Sequence, residues 1–181
     1  MRIHRQPKII VGLDLSLTGT GVVVLETSWT PGSWQGVRTA TFGYGLPEGV
    51  SERDRIGRIV DIAQRVVAFV PRGAEVFIES LAFGRFTGSA SSKLAGLTDV
   101  VKVALFMDKG ILTQVVTAGQ ARKLLLGYGQ GQDIKKQVEQ RLRGAGAPVR
   151  NNNEADAFAI ANYGRSELGL SALSFVGRGL A

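Results

Sequence analysis

The sequence predicts an α/β fold, a mixed sheet with helices packed on its faces. Two observations carry that prediction. The front of the chain holds three β-like runs separated by turn residues, and the rest alternates β-rich runs with helical patterns. Hairpin-linked strands followed by β-α alternation give antiparallel pairing first and parallel crossovers afterwards. Bulk composition agrees. The chain has 181 residues, 44% hydrophobic and 20% charged, the balance of one domain with a sizeable core. We expect that domain over residues 1–166 and a weakly patterned tail over 167–181.

Each element has a local reason. Residues 8–15 are almost continuously apolar, as a strand covered on both faces requires. "SLTGTG" supplies turn residues, and "VVVLE" reads as the second strand of a hairpin. "TSWTPGSWQG" is a loop punctuated by Pro and Gly, and "VRTATFGYG" is a third strand. Ser51 opens a helix with a Ser-x-x-Asp start. Ile56, Ile59, Val60, Ala63, Val66, Val67 and Val70 follow at helical spacing until Pro71 stops the run. "AEVFIES" (74–80) is a fourth strand and "ILTQVVT" a fifth, with a helix over roughly 91–108 between them. Shorter helices follow at roughly 118–125 and 132–143, and a last one runs from near Asn152 to about Gly164.

Charge points to a polyanionic partner. The net charge is +7, and nucleic acid is the first candidate for so basic a chain. Residues 118–150 alone carry Arg122, Lys123, Lys135, Lys136, Arg141, Arg143 and Arg150 against Asp133 and Glu139. No apolar run reaches the roughly 18–20 residues needed to span a bilayer. The first residues do not read as a signal peptide. There is no cysteine, which fits a reducing cytoplasm and excludes thiolate metal sites.

Three acids stand out because their surroundings are apolar. Asp14 ends the first strand, Glu79 ends the fourth, and Asp156 lies in "NEADAFAIA" at the start of the last helix. An ionised carboxylate in an apolar interior needs a partner, a cation or a proton. Each acid alone has a plainer reading. Asp14 would cap its turn, and Glu79 would face solvent from an edge. Acids at the start of the last helix would complement its dipole, a reading that covers Glu154 well and Asp156, flanked by Ala155, Ala157 and Phe158, less well. Together they suggest carboxylates that share one cation. Oxygen donors without cysteine, and with a single histidine, favour Mg²⁺ or Mn²⁺ over zinc.

The stretches "IIVGLDLSLTGTGVVVL", "VFIES" and "NEADAFAIA", in that order, resemble the RuvC-type Holliday junction resolvases of the ribonuclease H-like superfamily. "SSKLAGLTDVVKVAL" and "ARKLLLGYGQGQDIKKQVEQRL" resemble that family's second helix and basic segment, so the likeness covers about residues 8–164. It implies a five-stranded mixed sheet with three antiparallel strands first. It also implies a homodimer that binds four-way DNA junctions and nicks two strands symmetrically with Mg²⁺, for which Mn²⁺ substitutes. Asp14, Glu79 and Asp156 match the family's acids. Asn153 stands where the family has a fourth acid; its carbonyl oxygen is a ligand without charge, and Glu154 beside it is the alternative replacement. Lys136 matches a basic residue of the active site. Arg122 or Lys123 falls where another family lysine lies, and Lys135 joins these as a phosphate contact. Phe83, Arg85 and Phe86, in the Gly/Ser-rich loop after Glu79, are expected to meet DNA, the aromatics by stacking on an opened base. Leu97, Val101 and Leu105 of the second helix offer a dimer surface. The Asn153 departure suits a phage-encoded member.

The implied function is a metal-dependent, structure-selective endodeoxyribonuclease acting by two-metal hydrolysis. Alternatives are a nuclease for flaps or forks and a non-catalytic nucleic-acid-binding module of the same fold. Actin-like ATPases share the opening strand-turn-strand pattern, but they need two such domains, for which the chain is too short.

Overall fold

The computed structural model describes residues 9–80 and 89–176. Five strands and five helices follow in order: β1 (Ile9–Asp14), β2 (Thr20–Glu26), β3 (Val37–Phe42), α1 (Glu52–Phe69), β4 (Glu75–Glu79), α2 (Ser89–Lys109), β5 (Thr113–Val116), α3 (Ala118–Leu126), α4 (Ile134–Gly144) and α5 (Asn152–Glu167). They form one sheet in the order β3-β2-β1-β4-β5. The first three strands are antiparallel, while β4 runs parallel to β1 and β5 parallel to β4. The sheet is five-stranded and mixed, as the sequence predicts. Its order sets one fact used below: the carboxyl ends of β1, β3, β4 and β5 all open on the same end of the sheet.

Strand alternation divides the core. On β1, Val11 and Leu13 face a cluster with Ile62, Val66, Leu97 and Leu105 of α1 and α2. Ile10 faces the other cluster, built on α3, α4 and α5 with Leu125, Val138 and Phe158. A period of two then turns Gly12 and Asp14 toward α5 as well. The same rule on β4 puts Val76 and Ile78 on the α1 side and Phe77 on the α5 side. Glu79, two residues on from Phe77, follows it.

The helix α5 is buried nearly all round, so it reads as an interior helix rather than an amphipathic one. It lies almost in contact with the sheet because small residues meet there. A Cβ on Gly12 would overlap the Ala157 carbonyl and the Ala161 amide, and one on Gly21 would overlap the Asn153 carbonyl.

The described part of the segment after α5 folds back onto the core. Asn162 and Leu173 exchange two hydrogen bonds, of 2.9 and 2.7 Å. The Arg165 guanidinium, only 2% exposed, donates to the carbonyls of Ser171, Glu26 and Trp29 at 2.9, 3.0 and 2.8 Å. It also stacks on the Trp29 ring at 5.0 Å.

One expectation from the sequence is corrected on α2. Leu97, Val101 and Leu105 are fully buried against the α1 side of the sheet, so they offer no surface to a partner. The exposed apolar face of α2 is Val100, Val103, Phe106 and Met107.

Candidate active site

Asp14 is the last residue of the central strand β1, opposite Gly21 of β2. Glu79 ends the neighbouring parallel strand, one step beyond the Leu13–Ile78 pair. The two acids therefore stand side by side on the face covered by α5. Asp156 comes down from the second turn of α5 onto the same place. The close approach at Gly12 and Gly21 is what lets it reach.

Two cations accompany the acids. Arg122 of α3 makes a two-pronged bond to Asp156, Nε to Oδ1 at 2.9 Å and Nη2 to Oδ2 at 2.8 Å. Lys135, in the first turn of α4, puts its Nζ 3.1 Å from Asp156 Oδ2 and 3.8 Å from Asp14 Oδ2. A lysine there opposes the dipole of its own helix, and the carboxylates compensate. The helix start is unusual in a second way. Its N-cap, Asp133, has φ +55° and gives no side-chain cap.

Electrostatics separate the acids. Burial first, then the hydrogen bond and charge of Glu79, push the Asp14 carboxyl well above its ordinary range. Lys135 pulls the other way. Asp14 Oδ2 is buried and accepts no hydrogen bond from a described residue. For Arg122 and Lys135, burial disfavours the charge, but Asp156 and Asp14 outweigh it and hold both cations more firmly protonated than usual. The site thus pairs an acceptor oxygen lacking a donor with two fixed positive charges. Such an arrangement can bind a phosphate and can accept a hard cation.

Glu154 lies elsewhere. It is fully buried, and it accepts from Thr41 Oγ1 at 2.8 Å, the Arg150 amide at 2.9 Å and the Arg150 guanidinium at 3.0 Å. Asn151 caps α5 by accepting from the Glu154 amide and donates to Thr41. This network clamps the start of α5 to the edge strand β3. Burial would raise the Glu154 carboxyl, but the bonds from Arg150 and Thr41 prevail and hold it low.

Comparison with solved structures adds the fold's relatives. Thermus thermophilus RuvC superposes with TM-score 0.60 at 23% identity, covering 91% of this chain and 98% of that one. The same protein in complex with a Holliday junction substrate gives TM-score 0.64 at 24% identity, over 90% and 96%. The fold is that of RuvC. A fowlpox virus resolvase bound to its substrate Holliday junction DNA shares it at TM-score 0.54 and 12% identity, over 88% and 98%. No protein-family model and no curated protein matches the sequence.

Within this RuvC fold the expected residues are only partly gathered. Asp14, Glu79 and Asp156 share one end of the sheet, and Arg122 joins them. Asn153 is nearby: its amide lies over Gly19, in the turn that follows Asp14. Three expectations need correction. Glu154 cannot stand in for a fourth acid, because Thr41 and Arg150 occupy its carboxylate. Lys136 is exposed and makes no ion pair with a described residue, while its neighbour Lys135 reaches the acids. The shared cation expected between the acids is supplied in part by side chains, since Arg122 pairs with Asp156 and Lys135 with Asp156 and Asp14. Among the described residues no three acidic or histidine side chains are gathered closely enough to ligate one ion, in keeping with Asp156 being turned onto Arg122. Phe83, Arg85 and Phe86 lie outside the described residues. No described helix is long and apolar enough to cross a membrane.

Proposed function

We propose that the chain is a metal-dependent endonuclease that resolves four-way DNA junctions by paired nicking. The observation that carries this reading is the set of Asp14, Glu79, Asp156, Arg122 and Lys135 at the strand ends of a RuvC fold. The relatives seen with Holliday junctions add support, as does the net charge of +7.

The residues fit a divalent cation at Asp14 and Glu79. There, two adjacent carboxyl groups include an oxygen without a donor, and Mg²⁺ and Mn²⁺ take oxygen ligands. A second ion would need an Asp156 oxygen now held by Arg122. When bound, the metal supplies Lewis-acid activation of water and of the scissile phosphate. The chain's own groups do the rest. Arg122 and Lys135 attract the phosphodiester and offset its growing negative charge during in-line displacement. The apolar strands beneath keep the acids dry and fixed.

Pairing of nicks calls for two copies. Val103, Phe106 and Met107, at 61%, 53% and 77% exposure, form the apolar face of α2 on which a second copy would dock.

The test is incubation with a synthetic four-way junction, a flap and a linear duplex, with and without Mg²⁺ or Mn²⁺. Symmetric nicks in the junction alone are expected, and Asp14→Asn should abolish them while leaving binding largely intact. Wild-type cutting by that variant would overturn the site. A second reading, a binding module without catalysis, draws on the two-pronged grip of Arg122 on Asp156 and on Asn153. Binding without nicks in either metal would favour it.

A further inference from the structure

A second basic surface opens at the same end of the sheet, on its other face. The loop 46–50 and the start of α1 enclose a cleft of about 310 Å³, lined by Arg55, Arg58 and Lys93 against a single acid, Glu48. Its place follows from topology. α1 starts after the carboxyl end of β3 and α2 after that of β4, and both ends open beside Asp14 and Glu79. A backbone bond from the Tyr44 amide to the Leu17 carbonyl, 3.3 Å, ties the loop entering the cleft to the turn after Asp14.

Among the described residues, only one of the cations there, Arg58, has a structural hydrogen bond, and none has a paired acid. Arg55 and Arg58 lie in the first two turns of α1, where the helix dipole disfavours positive charge. None of the three joins an ion pair with a described residue, whereas Arg65 further along α1 pairs with Asp61 at 3.1 Å. Arg58 gives one bond to the Tyr44 carbonyl, at 3.0 Å. Its Nε is buried without an acceptor among the described residues. Unpaired cations in a concave wall suit an anion with several oxygens.

We infer that this cleft holds the sugar-phosphate backbone of a DNA arm whose cleaved strand lies at Asp14. The inference rests on the proposed nuclease reading. It adds that the substrate spans both faces of the sheet end, with Arg122 and Lys135 on one side and Arg55, Arg58 and Lys93 on the other. Each phosphate contact contributes about 0.9 to the slope of log affinity against log salt.

The experiment measures junction affinity across a salt series in the Asp14→Asn background, so that no DNA is consumed. Adding Arg55→Ala, Arg58→Ala and Lys93→Ala should lower the slope by about 2–3. Arg72→Ala, beyond the far end of α1, should leave it unchanged. Because Arg58 anchors Tyr44, a second variant with Arg55→Glu and Lys93→Glu alone, checked by thermal unfolding, should also weaken binding more than tenfold. An unchanged slope and affinity in variants of a parent that binds would overturn this inference alone. A parent that binds no junction would overturn it together with the nuclease reading.

Discussion

The Asp14 carboxyl ionises in surroundings that resist the charge. Its folded pKa is raised, by burial first and by Glu79 next. Its contribution to stability is therefore full below the unfolded carboxylate value of about 4. That contribution is lost as pH climbs through the raised folded value. Asp14→Asn never ionises. It should melt higher than the parent in mildly alkaline, metal-free buffer, and the gain should vanish near pH 4; calorimetry across pH checks this. Glu154 has the opposite sign. Burial would raise it, but Arg150 and Thr41 hold it low, so its contribution is present above the unfolded value and is lost as pH falls through the folded one. Glu154→Gln should lower the urea-unfolding free energy by about 1–3 kcal/mol at neutral pH, and the difference should close in acid. The sequence pointed to Asp14 and Glu79 because an acid ending an apolar strand stands out. It could not separate Lys135 from Lys136. Adjacent helical residues point about 100° apart, and the chain enters α4 through the left-handed Asp133, a backbone turn that no sequence pattern announces. Nor could it foresee that Thr41 and Arg150, far apart in sequence, both claim Glu154.

Among the elements, α5 depends most on what lies beneath it. Its Ala157 and Ala161 rest on Gly12. Gly12→Ala would narrow the unfolded ensemble, a gain of about 0.4–1 kcal/mol. Overlap with two backbone atoms outweighs that, at about 1–3 kcal/mol. The variant should melt lower than the parent. It should also lose nicking more than its melting point suggests, because Asp156 rides on the displaced helix; paired melting and nicking assays decide. The element pattern was legible because capping residues and Pro71 mark α1 clearly and β-rich runs mark the strands. The face of α2 was not. That helix carries apolar residues on several sides, Leu97 and Val101 inward and Val103 and Phe106 outward, so periodicity alone does not tell a core stripe from an uncovered one.

For the molecule as a whole, the uncovered face of α2 sets the expected assembly. Val103→Glu with Phe106→Glu should turn a dimer into a monomer in sedimentation. The melting point of the monomer should change little, since both side chains are exposed. A parent that sediments as a monomer at micromolar concentration would remove α2 as the dimer surface. The order of strands makes the catalytic reading a property of the whole sheet: all its parallel strands end together, so acids and cations from distant segments meet there without long loops. Arg165 has a different consequence. Its guanidinium ties α5 to two other stretches of chain through three carbonyls, those of Glu26 and Trp29 in one turn and that of Ser171. Only a planar, branched group has enough donors in the right directions to serve all three. Lysine there would leave at least one carbonyl unanswered. Clipping the chain just past α5 would strip a buried positive charge of the Ser171 acceptor. Proteolysis at that point would then loosen the β2–β3 connection at Glu26 and Trp29, on the far side of the domain from the cut in sequence but not in space.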